Sequence, residues 1–116
     1  MPNTNRPTIS THVLDTTRGE PAAGVTVLLF RLDAHDRSLL GTRETDADGR
    51  IGDVGGPLAP GLYGMSFEVA AYYKKKGDPP PFLQRVTVDF EVTAARARYH
   101  IPLLMSPFSC ASYRGS

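Results

Sequence analysis

His12, His100, Arg50 and the closing Tyr113-Arg114-Gly115-Ser116 are the residues whose chemistry stands out in this chain. A histidine that is neutral near pH 7 can take a proton from water or protonate a leaving group. An arginine stays cationic and can hold carbonyl oxygens while negative charge develops on them. Taken singly, His12 and His100 read as surface residues, and Arg50, just after Asp48-Gly49, as an exposed turn arginine. The tail is different in kind. Terminal residues are dispensable unless something holds them. A tyrosine, an arginine and a carboxylate within the last four residues suggest an end built into a site.

Other chemistries find less support. His35 lies in the polar run Asp33-Ala34-His35-Asp36-Arg37 and reads as solvated. Zinc needs three or four converging ligands, but no close His/Cys spacing exists and Cys110 has no histidine near it in sequence, so no metal is expected. Ser10, Ser106 and Ser116 lack the Gly-x-Ser-x-Gly elbow of a serine hydrolase. There is no phosphate loop and no dinucleotide fingerprint, and no cofactor is expected.

The elements that must position these residues are short strands punctuated by 11 glycines and 10 prolines. Residues 8–15 form the first. Period two puts Ile9, Thr11 and Val13 on one face, the natural core face, and Ser10, His12 and Leu14 on the other. Residues 24–32 are apolar on both faces, which predicts a central strand. Residues 38–45 are a weaker strand, Asp46-Ala47-Asp48-Gly49 a turn, and residues 62–68 a further strand. Residues 84–92 alternate cleanly, with Val86, Val88, Phe90 and Val92 on one face.

Residues 97–105 predict one strand with Tyr99, Ile101 and Leu103 inward, and Arg98, His100 and Pro102 outward. Residues 110–114 predict a short last strand. Residues 69–76 break the pattern: good helix formers, three lysines at the end and Gly77 at the stop predict a two-turn helix. The whole is a β-sandwich with one brief helix. Leu14 and Pro102, beside the outward histidines, suggest that the outer face is covered by another subunit.

At 116 residues the chain predicts one domain, 1–116, with residues 1–7 a loose polar lead. Net charge is +1, so bulk electrostatics give no reason to expect nucleic acid or an anionic membrane as partner. The basic run Lys74-Lys75-Lys76 reads as a solvated helix end. One cysteine precludes an intrachain disulfide and fits a reducing compartment. No stretch approaches a membrane span and no apolar signal region opens the chain, which predicts a cytoplasmic protein.

Four blocks, in order along nearly the whole chain, resemble the transthyretin-like 5-hydroxyisourate hydrolases. They are Ser10-Thr11-His12-Val13-Leu14-Asp15 with Gly19 and Pro21-Ala22; Thr45-Asp46 with Asp48-Gly49-Arg50; Tyr99-His100-Ile101-Pro102-Leu103-Leu104 with Ser106-Pro107; and Tyr113-Arg114-Gly115-Ser116. The last is the most specific. The resemblance implies an all-β, transthyretin-like sandwich of two four-stranded sheets with one short helix. It also implies a homotetramer, a dimer of dimers around a central channel. It implies that His12, Arg50, His100 and Ser116 are catalytic, and that His12, Arg50, Tyr113 and Ser116 bind substrate. The chain departs from the family's usual residues over 74–83 and over Ser109-Cys110-Ala111-Ser112.

The implied reaction is hydrolysis of 5-hydroxyisourate, a small planar purine derivative, to 2-oxo-4-hydroxy-4-carboxy-5-ureidoimidazoline in urate breakdown. Water attacks the cyclic acyl-urea bond. Arg50 would bind substrate and oxyanion, while His12 and His100 share the acid–base work, the base being either one. Two histidines beside an arginine each resist protonation. The alternative is a non-catalytic carrier of small aromatic ligands on the same fold. The hormone carrier of this family has lysine, an acid and threonine where this chain has His12, Arg50 and His100, and lacks the closing tetrapeptide. A non-catalytic adhesion or accessory β-sandwich is a third reading.

Overall fold

The computed structural model describes residues 6–116. In chain order the elements are β1 (Thr8–Asp15), β2 (Glu20–Pro21), β3 (Thr26–Leu32), β4 (Arg37–Glu44), β5 (Arg50–Ile51), β6 (Gly61–Phe67), α1 (Val69–Lys75), β7 (Val86–Val92), β8 (Arg98–His100), β9 (Leu103–Met105) and β10 (Cys110–Ser112). They form two sheets. One is four-stranded in the order β4-β3-β6-β7. In the other, β1 is central: β9 and then β10 lie on one flank with β8, and β2 and β5 on the opposite flank.

The second sheet has six strands rather than the expected four, because two of its four positions are broken. The path expected as one strand over residues 97–105 splits into β8 and β9 at Ile101-Pro102. Proline has no N–H to give a ladder. Side-chain hydroxyls satisfy the carbonyls there instead: Thr11 Oγ1 donates to the Ile101 carbonyl at 2.6 Å and Ser112 Oγ to the Pro102 carbonyl at 2.8 Å. On the other flank, β5 and β2 share one position along β1.

A single cluster of buried side chains draws on both sheets and the helix, including Ile9 and Val13 of β1, Val27 and Leu29 of β3, Met65 and Phe67 of β6, and Tyr73 of α1. In β1 the alternation is strict: Ile9, Thr11, Val13 and Asp15 are buried, while Ser10, His12 and Leu14 are half-buried on the outer face. β3 is central, as its two apolar faces predict, and β7 turns Val86, Val88, Phe90 and Val92 inward.

Helix α1 ends where its sequence says it should. Gly77 is at φ +77°, the Asp78 N–H reaches the Tyr73 carbonyl and the Gly77 N–H the Lys74 carbonyl, so the last carbonyls are paired. Its tyrosines tie it to β1: Tyr72 and Tyr73 donate to the fully buried Asp15 carboxylate at 2.8 and 3.1 Å. Arg18 bridges Asp15 to Asp78. Burial pushes the Asp15 carboxyl up, but hydrogen bonds from Tyr72, Arg18 and Tyr73 outweigh it and hold the carboxyl below its ordinary value.

One boundary differs from expectation. Pro7 is buried and its carbonyl accepts from the Leu58 N–H at 2.8 Å, so the anchored chain begins before β1. Of the rest of the expected loose lead, Arg6 is exposed and residues 1–5 lie outside the described residues. Among the described residues, no helix is long and apolar enough to cross a membrane.

Candidate active site

His12 sits mid-way along the central strand of the larger sheet, on its outer face. Its flanks supply the other two groups. On one side β5 runs antiparallel with Arg50 directly opposite His12. On the other, β8 runs parallel with His100 in register with Ser10. Paired residues in a sheet point to the same face, so Ser10, His12, Arg50 and His100 share one outer surface.

Arg50 reaches that position through the turn before it. The Asp46 carboxylate accepts from the N–H groups of Asp48 and Arg50, both at 2.9 Å, and the Asp46 N–H donates to the Arg50 carbonyl at 3.0 Å. Gly49 closes the turn at φ +75°, where glycine is favoured. It also presses on β1, since a Cβ there would lie 2.5 Å from the Val13 carbonyl oxygen. Arg50 is exposed.

His100 is held at two edges. Ser10 Oγ lies 2.9 Å from its Nδ1. The tail runs along its other side, with the Gly115 N–H donating to the His100 carbonyl at 2.6 Å. Burial, and then the positive charge of Arg50, hold the His100 imidazole below the ordinary histidine value. It therefore favours the neutral form at pH 7.

Strand register does not pair the other expected residues with this group. Ser116 is exposed, one residue beyond the anchored Gly115. Tyr113 is 59% exposed and, with Arg114, lines a separate cavity of about 560 Å³ between β7 and the tail, whose other walls include Val88, Phe90, Tyr99 and Ile101. His35 is exposed in the loop before β4, away from the site. Among the described residues no three His, Cys, Asp or Glu side chains converge as a metal site. The sequence weighs Ser10 as a nucleophile and sets it on the His12 face, without linking it to His100. Its place on the same period-two face as His12 was the signal available.

Beside the polar group runs an apolar row. Pro21 pairs with Leu14, Leu14 with Leu104, and Leu104 with Ala111, so one outer row crosses four strands. Leu104 is 39% exposed.

Known proteins share this frame. A 5-hydroxyisourate hydrolase of Caulobacter vibrioides is 43% identical over 112 residues, spanning 93% of this chain and 97% of that protein. The solved 5-hydroxyisourate hydrolase of Klebsiella pneumoniae superposes with a TM-score of 0.84 at 35% identity, over 95% of this chain and 99% of the other. Sea bream transthyretin, solved with thyroxine, gives a TM-score of 0.85 at 27% identity, over 92% and 93%. The model of the HIUase/Transthyretin family matches residues 9–115. With that match across nearly all of its length, the chain belongs to the HIUase/Transthyretin family.

Proposed function

We propose that this chain is a 5-hydroxyisourate hydrolase of urate degradation. The observation that carries the reading is the register of three strands, which puts Arg50 opposite His12 and brings His100 to the neighbouring strand on the same face. The curated relatives named for that activity support it. Hydrolysis of a cyclic acyl-urea needs an activated water, a cation for the oxyanion and a proton for the departing nitrogen. His12 and His100 are the acid–base candidates, and Arg50 binds the carbonyl oxygens and the charge that develops on them. Ser116, one residue past the Gly115 that bonds the His100 carbonyl, is the candidate for ordering the bound ring, and Tyr113, which lines the cavity beside β7, would reach a substrate from that side.

The protein acts, in this reading, as one domain over 1–116, in the cytoplasm, as a homotetramer made of two dimers. The row Pro21–Leu14–Leu104–Ala111 supports a covered outer face, because in-register apolar side chains beside a polar site are what a second subunit buries. Freshly generated 5-hydroxyisourate tests the activity directly. Its ultraviolet absorbance should decay far faster with the protein than in buffer. Decay at the buffer rate would end the hydrolase reading and favour the alternative, a non-catalytic carrier of small aromatic ligands.

A further inference from the structure

The His100 ring is clamped edgewise. Ser10 Oγ stands 2.9 Å from Nδ1 on one edge. On the other, Gly115 packs so closely that a Cβ there would lie 2.8 Å from His100 Cδ2 and 3.2 Å from its Cβ. Glycine is therefore the residue that lets the tail lie against the ring. The tip of the ring that carries Nε2 is the part left to meet a substrate.

The hydroxyl of Ser10 has one polar partner among the described residues, and that partner is Nδ1. A neutral imidazole carries one proton, so one nitrogen donates and the other accepts. With the proton on Nδ1, the serine hydroxyl proton would have no acceptor among those residues. With Nδ1 bare, Ser10 donates to it and the proton sits on Nε2. Burial, and then the nearby Arg50 guanidinium, disfavour a second proton on the ring.

We propose that Ser10 is a positioning residue that holds neutral His100 in its Nε2–H tautomer, making His100 a hydrogen-bond donor to the substrate and leaving His12 as the base. The assignment rests on the hydrolase reading. A bare Nε2 would be needed for His100 to accept water's proton there, and a Ser10 hydroxyl donating to Nδ1 disfavours it. Donating the Nε2 proton outright would leave an imidazolate, so His100 keeps it. The step then balances on one histidine. His12 takes a proton from water as the water oxygen bonds to the carbonyl carbon. The carbonyl π pair moves onto oxygen, where Arg50 and the His100 Nε2–H hold it. When that pair returns, the C–N bond breaks, its electrons go to nitrogen, and His12 gives that nitrogen the proton it took. The net change is addition of one water.

Long-range proton–nitrogen correlation spectra of the protein carrying ¹⁵N-labelled histidine read the tautomer without any substrate. In the unaltered protein His100 should show the Nε2–H pattern above pH 7, and Ser10→Ala should convert it to a mixed pattern. Ser10→Ala should also lower kcat roughly 10- to 100-fold, the scale of a misaligned group, with KM little changed. Ser10→Thr, which keeps the hydroxyl, should restore both signals. An Nδ1–H pattern in the unaltered protein overturns the proposal, and needs no variant that folds. Unchanged kcat in a folded Ser10→Ala variant overturns it too. Failure to hydrolyse 5-hydroxyisourate at all would instead strike the hydrolase reading, and the spectrum would still decide the tautomer.

Discussion

Removing any one of the three side chains on the outer face of β1 and its flanks should cost activity rather than stability. His12→Ala, Arg50→Ala and His100→Ala should each lower kcat/KM roughly a hundredfold or more, the scale of a lost acid–base or oxyanion group. Melting temperatures should move little, because His12 and His100 are only half-buried and Arg50 is exposed. A variant that melts early yet keeps full specific activity in its folded fraction would make that residue structural. His100 also predicts a pH effect of definite sign. Its folded value is depressed, while in the unfolded chain the imidazole titrates near 6.5. As pH falls from 6.5 toward the folded value, the unfolded state binds more protons, so unfolding becomes easier; below the folded value this contribution is spent. Denaturant melts across that window should show a slope that His100→Ala flattens. Arg50→Gln should raise the His100 value without restoring it fully, since burial is the larger cause; an NMR titration measures this directly.

Arg50 depends on a five-residue turn, residues 46–50, which makes that turn the weak point at the scale of elements. Gly49→Ala forces a side chain into positive φ and toward the Val13 carbonyl. The strain alone is worth about 1–3 kcal/mol. Thermal melts should fall accordingly, and kcat/KM should drop more than in a control at an open glycine such as Gly56→Ala, where a Cβ meets nothing. Equal losses in both would mean that the turn does not aim Arg50. The Asp15 junction predicts a different failure. Asp15→Ala leaves the buried Tyr72 hydroxyl without its acceptor, at about 1–3 kcal/mol, while Tyr73 keeps the Met105 carbonyl. Acid should weaken the same junction, because a depressed carboxyl gives up its stabilisation as pH falls through its folded value.

Much of this was legible in the sequence. Period two gave the outward faces of His12 and His100, and lysines before Gly77 gave the end of α1. What stayed hidden was set by partners distant in sequence. The break at Ile101-Pro102 depends on hydroxyls from Thr11 and Ser112, β5 exists only as a partner of β1, and the Ser10–His100 contact joins strands at opposite ends of the chain.

For the whole molecule, the apolar row tests the proposed tetramer. Leu104→Glu puts a charge in the middle of that row, on a residue already 39% exposed in the isolated chain. The fold should survive, while light scattering should show a smaller species than the unaltered protein gives. An unaltered protein that is a stable, fully active monomer at low micromolar concentration would remove the tetramer. The central place of β1 also has a kinetic consequence. The sheet β4-β3-β6-β7 joins β3 to β4 and β6 to β7, neighbours in sequence. The sheet that holds the chemistry must instead bring Ser10 to His100, 90 residues away. Closing so long a loop delays contact formation, and folds dominated by such pairings take roughly milliseconds to seconds. Refolding should therefore run in a visible order. Regained hydrolysis should lag behind the early β-sheet signal in the far ultraviolet, and hydrogen exchange should open the β1–β8 seam before the β3–β6 seam. If catalysis returned in step with the first spectroscopic change, assembly of the reactive face would be early rather than late. The expectation is that this enzyme's working surface is the last part of it to exist and the first to be lost.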